Sequence, residues 1–207
     1  MHFRIVAIDV GFRSTGLAAF NVYPNRLELA EFDCVHTEPP PGKRKKALKD
    51  VDRIQRNIDG IVAFLEKNDA MWMVVELPTG GSKSSRAARA MGMATTMIVS
   101  IAKLLEIQAE WYEPIDIKRA ACDKNSADKE EVMVAMAEIF PEILVLPKGQ
   151  MEHVADACAC MIAAQNGEVV KHAKKVYGWF IGEKDVQEET CVLHKHGVQQ
   201  ERHLPKV

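Results

Sequence analysis

Four side chains that can bind a cation stand where a strand end or a helix face can hold them. Asp9 ends a compact, β-branched run, and Glu76 ends an otherwise apolar one. Asp156 lies in the Ala- and Cys-rich segment EHVADACACMIAA, and His153 precedes it by about one helical turn. An Asp in so apolar a segment is unfavourable unless it is paired or ligates a cation. The four residues therefore predict a cation site if the fold brings them together.

Each of these residues also has an ordinary structural interpretation. A strand-end Asp is usually a turn residue, and a helical His-x-x-Asp is more often a local hydrogen bond than a pair of ligands. Clustered oxygen ligands, however, hold hard divalent cations. Two such cations can clamp the attacking and leaving oxygens of a phosphodiester. The pattern favours metal-dependent phosphodiester hydrolysis, with the fourth ligand open between His153 and Glu152, which lies four residues before Asp156.

The elements that must position these groups follow an order typical of an α/β protein. The pattern predicts five strands at about residues 3–8, 16–22, 27–35, 71–77 and 108–113. It predicts helices at about residues 47–67, 85–105, 114–121, 127–140 and 150–165, with an extended break at 141–149. Short turns join the first three strands, whereas helices separate the later ones. We therefore expect a mixed five-stranded sheet, with three antiparallel strands first, flanked by helices.

The composition indicates a globular protein without a membrane partner. The 207 residues are 47% hydrophobic and 27% charged, which is enough for a core without disulfides. The net charge of −2 excludes a strongly basic coat. No apolar run approaches the ~20 residues of a bilayer span, and the five cysteines lack metal-finger spacing. We expect reduced thiols and a cytoplasmic location, in a bacterium or, for a viral chain, in its host.

Local basic stretches remain possible contact surfaces for phosphates. Residues 43–56 contain seven Lys or Arg and two Asp. This stretch predicts either a solvated helix face or a phosphate-binding surface. Lys118 and Lys129, taken by residue type alone, predict no more than surface solubility.

Four segments, in this order, resemble the RuvC-type Holliday junction resolvases of the ribonuclease H-like superfamily. IVAIDVGFRSTGLAAF is similar to their opening strand, turn and strand, and MVVELPTGGSKSSRAARAMG to the strand-end Glu with its loop and long helix. EPIDIKRAACDKNSADKEEV resembles their basic segment, and HVADACACMIAA their closing helix. The resemblance implies a ribonuclease H-like nuclease domain at 1–166, followed by an extension of unknown role at 167–207.

The resemblance also implies roles for the site residues. Asp9, Glu76 and Asp156 match catalytic, metal-ligating acids. His153 stands where many relatives have Asp, so it would be a catalytic nitrogen ligand that favours Mn²⁺ relative to Mg²⁺. Lys118 matches a basic residue that the family has near the scissile strand, so the resemblance implies that it is catalytic as well. The implied cofactor is Mg²⁺, with Mn²⁺ able to substitute, and two ions per site.

The implied substrate is branched DNA, above all the four-way junction, cut by paired symmetric nicks in recombination, repair or viral genome processing. The loop after Glu76 lacks the aromatic with which some relatives stack on junction bases. Basic residues are expected to contact DNA phosphates instead, namely Lys83, Arg86, Arg89, Lys118 and Lys129. Symmetric nicking implies a homodimer, and the helix near 85–105, rich in small residues and Met, suits close packing between helices.

Two other functions compete with this interpretation. An actin- or Hsp70-like ATPase also begins with a strand, an Asp and a Gly-bearing hairpin such as DVGFRSTG. That class needs two such subdomains, and this chain is short and shows no repeat. The second alternative is a non-catalytic module that binds branched nucleic acid on the same fold.

Overall fold

The strands and helices follow the predicted order. A computed structural model describes residues 2–43, 45–79 and 84–176. Its strands are β1 Phe3–Asp9, β2 Ser14–Val22, β3 Leu27–His36, β4 Trp72–Glu76 and β5 Gln108–Tyr112. Its α-helices are α1 Lys46–Lys67, α2 Ser85–Leu104, α3 Pro114–Cys122, α4 Lys129–Ile139, α5 Lys148–Ala163 and α6 Glu168–Val176. The prediction of a mixed five-stranded α/β fold is confirmed.

The sheet has the strand order β3-β2-β1-β4-β5. The first three strands form the antiparallel meander expected from their short turns, while β4 and β5 run parallel to β1. In this register Asp9 lies opposite Gly16 on β2 and opposite Glu76 on β4. Because the carboxyl ends of β1 and β4 meet at one edge, the two strand-end acids are neighbours.

Helices cover both faces of the sheet, so β1 and β4 are apolar on both sides. One core lies between the sheet and α3 to α6, where the rings of Phe20 and Phe140 pack edge to face at 5.3 Å. The other core lies between the sheet and helices α1 and α2, and contains Ile8, Ile61 and Ile98. None of the described helices is both long and apolar enough to cross a bilayer.

The segment before α5 differs from its prediction. The sequence predicts an extended break at 141–149, whereas Pro141–Val145 forms a 3₁₀ turn. Pro141 stands at the start of this turn, where its missing N–H is not needed. The fully buried side chain of Ile143 anchors the turn to the core.

Helix α6 lies within the segment that the resemblance assigns to the extension, yet it packs on the same core. Its buried residues are Val169, Val170 and Ala173. The Glu110 carboxylate on β5 accepts the backbone N–H groups of Glu168 and Val169, at 3.0 and 2.8 Å, and so satisfies the start of the helix. Residues 177–207 of the proposed extension lie outside the described residues.

Candidate active site

Three carboxylates converge at the carboxyl edge of the sheet. Asp9 ends β1, Glu76 ends β4, and Asp156 projects from α5. One carboxylate oxygen from each acid lies within 4.8 Å of those from the other two. All three side chains are partly buried. The strands and the helix thus bring together the three acids that the sequence predicts as metal ligands.

A glycine allows helix α5 to lie directly on strand β2. A Cβ atom at Gly16 would lie only 2.0 Å from the carbonyl oxygen of His153 and 2.9 Å from the amide nitrogen of Val154. Since Gly16 pairs with Asp9 in the sheet, this backbone contact sets the height of α5 above Asp9. The close approach places Asp156 at the site and His153 beside Asp9, although among the described residues only the three acids have ligand atoms that all lie within 4.8 Å of one another.

His153 contacts one of the three acids directly. Its Nδ1 lies 2.7 Å from Asp9 Oδ2, a distance that requires a proton between the two atoms. This hydrogen bond raises the pKa of His153 above its ordinary value, although burial of the ring opposes the shift. A cation shared with Asp9 would have to take the place of the proton on Nδ1, because Nε2 lies on the far side of the ring.

Burial and neighbouring negative charges raise the pKa values of two of these carboxylates, Glu76 and Asp156. Burial, followed by the charges of Asp9 and Asp156, raises the pKa of Glu76 to about 8. Burial and the charge of Asp9 likewise raise the pKa of Asp156 to about 7. Three oxygen donors whose negative charges are incompletely balanced form a suitable donor set for a hard divalent cation.

Lys118 and Lys129 both lie close enough to the acids to affect them. Their positive charges lower the pKa of Glu76 and partly offset its rise. Lys129, at the start of α4, also forms an ion pair with Glu152. Glu152, the alternative fourth ligand, therefore faces a lysine and is not one of the three clustered acids.

The other predicted DNA contacts have different surroundings. Arg86 and Arg89, on the first turns of α2, both bond to Asp50 of α1 and remain about half exposed. Lys83 lies outside the described residues, so its predicted contact stays a prediction.

Two polar residues near this edge escaped the sequence interpretation. Within the basic stretch 43–56, Asp50 is only 3% exposed and Arg53 only 7%. These two side chains are therefore not part of a solvated helix face, nor of an open phosphate-binding surface. The two residues are three positions apart and lie next to the apolar residues of α1, which is the only sequence feature that hints at their burial. The same spacing is equally typical of an exposed ion pair on a helix.

Comparison with known proteins identifies a family over most of the chain. The family model described as "Crossover junction endodeoxyribonuclease RuvC" matches residues 5–164. The protein of that name from Nitrosomonas eutropha is 27% identical over 164 residues, which cover 79% of this chain and 85% of the relative. The one from Pelotomaculum thermopropionicum is 27% identical over 161 residues, which cover 76% and 90%.

A solved structure supports the fold. The T. thermophilus RuvC protein in complex with a Holliday junction substrate superposes with a TM-score of 0.61 at 23% identity. The match covers 78% of this chain and 92% of the other. At this identity the likeness supports the fold, while the family match rests on the sequence.

Proposed function

The chain belongs to the RuvC family of crossover junction endodeoxyribonucleases, and on this premise we propose that Asp9, Glu76 and Asp156 bind the divalent cations with which it cuts DNA. It is a structure-specific, junction-resolving endonuclease of recombination and repair. Endonucleases of this family depend on a metal ion, and the chain has a cluster of acids that can hold one. The observation that carries the proposal is the convergence of the three carboxylates within 4.8 Å.

Mg²⁺ is the proposed cofactor, with Mn²⁺ as a substitute, because carboxylate oxygens suit both ions. A pair of such ions supplies activation of the attacking water and stabilisation of the leaving oxygen. Of the four predicted ligands, Asp9 is the shared neighbour, since it pairs with Glu76 in the sheet and bonds to His153. We propose His153 as the fourth ligand through Nδ1, the ring nitrogen that faces Asp9, which would exchange its hydrogen bond for the cation. Before a cation binds, that hydrogen bond fixes the orientation of the Asp9 carboxylate.

The lysines beside the acids supply the positive charge that a phosphodiester needs. Lys118 is the proposed catalytic lysine, because negative charge grows on the phosphate oxygens in the transition state. Lys129 contacts the DNA backbone from the start of α4, where its ion pair with Glu152 keeps it beside the acidic cluster. Arg86 and Arg89, about half exposed on α2, are proposed to contact phosphates farther along the strand.

The proposed substrate is a four-way junction, and the proposed assembly is a homodimer whose two sites nick opposite strands. Helix α2 is the proposed contact between subunits. Beyond the turns that carry Arg86 and Arg89, a Cβ atom at Gly92 would meet nothing within 4 Å, and Val99 is 50% exposed. A helix with small residues on its open face allows a second helix to approach closely.

Cleavage assays test this function directly. The full-length protein, with Mg²⁺, Mn²⁺ or EDTA, is given labelled four-way, three-way, flap and linear DNA. We expect cuts in the four-way junction that require a metal ion, and little cleavage of linear DNA. A supercoiled plasmid with an extruded cruciform distinguishes coupled nicks, which give linear DNA, from single nicks, which give open circles. A failure to cut any branched DNA with either metal would refute the proposal.

A further inference from the structure

A buried carboxylate holds two arginines of helix α2 side by side. The side chain of Asp50, on the first turns of α1, is only 4% exposed. Its Oδ1 accepts a hydrogen bond from Arg86 Nη2 at 3.1 Å, and its Oδ2 accepts one from Arg89 Nη2 at 2.6 Å. The arginine side chains remain 57% and 50% exposed. One carboxylate therefore orients two half-exposed guanidinium groups, each of which has further N–H donors.

This cluster lies at the edge of the sheet that carries the acids. Helix α1 runs back from that edge to the start of β4, and α2 begins nine residues after β4 ends at Glu76. Arg53, one turn after Asp50, places its guanidinium 4.6 Å from the ring centroid of Phe12. Phe12 follows Asp9 by three residues, and its carbonyl oxygen accepts a hydrogen bond from Asn57 at 3.1 Å. A short series of contacts thus ties Asp50 to the loop that follows Asp9.

The charges around Asp50 do not balance. Burial lowers the pKa of Arg53, the charge of Asp50 opposes that shift, and the charge of Arg86 adds to it. Arg53 Nη2 is buried and has no hydrogen-bond partner among the described residues. Asp50 therefore bonds to two guanidinium groups, and a third, that of Arg53, is close enough to be affected by the charges of Asp50 and Glu38. Joining α1 to α2 needs only one arginine, and a second adds repulsion and loss of side-chain entropy. An anion bound to the exposed guanidinium edges would offset both.

We propose that Asp50 is a positioning residue that holds Arg86 and Arg89 as a clamp for one backbone phosphate of the DNA. The inference rests on the proposed function, in which branched DNA lies across this edge. Guanidinium groups bind phosphate through paired N–H donors, which demand a fixed orientation. A buried carboxylate behind them supplies that orientation before DNA arrives, so less side-chain entropy is lost on binding.

The clamp and simple electrostatics predict opposite results for Asp50→Asn. This change removes a negative charge beside two DNA-binding arginines, so charge alone predicts tighter binding. The clamp predicts weaker binding, because the arginines lose their common acceptor. Affinity of the full-length Asp9→Asn protein for a labelled four-way junction, measured over a salt series, distinguishes the two, since this parent should bind without cutting.

The arginines themselves give the reference effect. Arg86→Gln with Arg89→Gln should weaken junction binding about tenfold, the effect of removing one charge-assisted hydrogen bond, and should flatten the salt slope by about 0.9. Asp50→Asn should weaken binding in the parent but have no further effect in this double variant. Arg26→Gln is the matched control, because Arg26 bonds to Glu28 near the opposite end of the sheet; it should leave affinity unchanged.

Tighter or unchanged junction binding by Asp50→Asn would overturn the clamp. So would a loss of affinity on Asp50→Asn that is as large in the Arg86→Gln, Arg89→Gln variant as in the parent. If Asp50→Asn does not fold, as judged by its melting transition, Arg86→Lys with Arg89→Lys decides. Those lysines keep both charges but lose the planar fork, so the clamp predicts several-fold weaker binding and unchanged affinity refutes it. A parent that binds no junction would instead refute the proposed function, and the clamp with it.

Discussion

Gly16 and His153 are in backbone contact across the β2–α5 interface. A Cβ atom at position 16 would lie 2.0 Å from the His153 carbonyl oxygen, a separation that real Cβ atoms do not adopt. The atoms that a Cβ at position 16 would meet belong to the backbone of α5. They cannot move aside by a change of rotamer, as the end of a flexible side chain could. The distance between α5 and the Asp9 strand therefore depends on the absence of a side chain at this position.

Gly16→Ala should move α5 away from the sheet and separate Asp156 from Asp9. We expect a loss of cleavage together with a lower free energy of unfolding, by about 1–3 kcal/mol or more, the usual range for overpacking a core. Thermal melts and junction cleavage measure the two effects. Gly149→Ala is the matched control, because a Cβ atom there meets nothing within 4 Å and alanine favours the helix. Equal effects of the two substitutions would contradict the argument.

Asp9→Asn should abolish cleavage and leave affinity for a four-way junction unchanged or higher. The amide loses the charge that attracts a cation, and it also removes a negative charge from the edge where DNA is proposed to bind. Gel-shift or fluorescence titrations, run beside cleavage assays, measure both properties. If binding disappears together with cutting, Asp9 has a structural role.

The sequence was most informative where strands carry chemical groups at their ends. Asp9 and Glu76 follow apolar runs, and parallel pairing of β1 and β4 makes their convergence predictable. That Asp156 lies beside them could be predicted only from the family resemblance, because hydrophobic periodicity does not determine how closely a helix approaches a sheet. Gly16 sets that height, and within the sequence it resembles an ordinary turn glycine.

Asp50 shows the opposite case. Seven of the residues at 43–56 are Lys or Arg, so the local sequence favours a solvated helix face. The residues that surround it in space, Arg86 and Arg89, follow it by 36 and 39 positions. Burial of a charge by partners so distant along the chain depends on how α1 and α2 pack. That packing has no local signature.

Glu76→Gln should stabilise the metal-free protein at alkaline pH. Burial and the charge of Asp9 raise the pKa of Glu76 from an ordinary value of 4.5 to about 8 in the folded protein. The folded state therefore binds the proton more tightly than the unfolded state between these values, and stability is lost as pH rises through this window. Glutamine stays neutral and should escape that loss.

Melting temperatures in EDTA, recorded between pH 4.5 and 8.5, measure this effect. The advantage of Glu76→Gln over the wild-type protein should grow with pH, and Mg²⁺ should reduce it by stabilising the wild-type carboxylates. Metal affinity of the wild-type protein should rise over the same range, because a bound cation must displace the protons on Glu76 and Asp156. A difference in melting temperature that is independent of pH would contradict the assignment.

Lys118→Gln and Lys129→Gln should each weaken junction binding and flatten its salt slope by about 0.9 for every phosphate that the variant no longer neutralises. Lys118→Gln should also reduce the cleavage rate at saturating DNA, since it is the proposed catalytic lysine. Lys67→Gln provides a control with the same charge change, because Lys67 pairs with Glu31 at the far end of α1. Slopes that match this control would assign both lysines to surface solubility.

His153 gives the sharpest test of the metal site. Protonation of its imidazole competes with a metal ion, and its hydrogen bond with Asp9 raises the pKa of His153 above the ordinary value. Activity limited by this group should therefore fall as pH drops, and the fall should begin above the ordinary histidine region near pH 6.5. His153→Asp restores an all-carboxylate set, so it should keep activity and shift the metal preference from Mn²⁺ towards Mg²⁺. It should lose the part of the pH dependence that belongs to the imidazole and keep the part that Glu76 and Asp156 contribute through their raised pKa values.

His153→Ala should remove most cleavage while the melting temperature in EDTA changes little, since the side chain lies at the partly open cleft and is 26% exposed. Alanine removes both the proposed ligand and the hydrogen bond that orients Asp9. Asparagine at the same position can still donate to Asp9 but is a poor ligand, so His153→Asn separates the two roles. If the asparagine variant cuts normally, His153 orients Asp9 and is not a metal ligand. If the alanine variant cuts normally, His153 has neither role, and Glu152, once released from its ion pair with Lys129, is the next ligand to test.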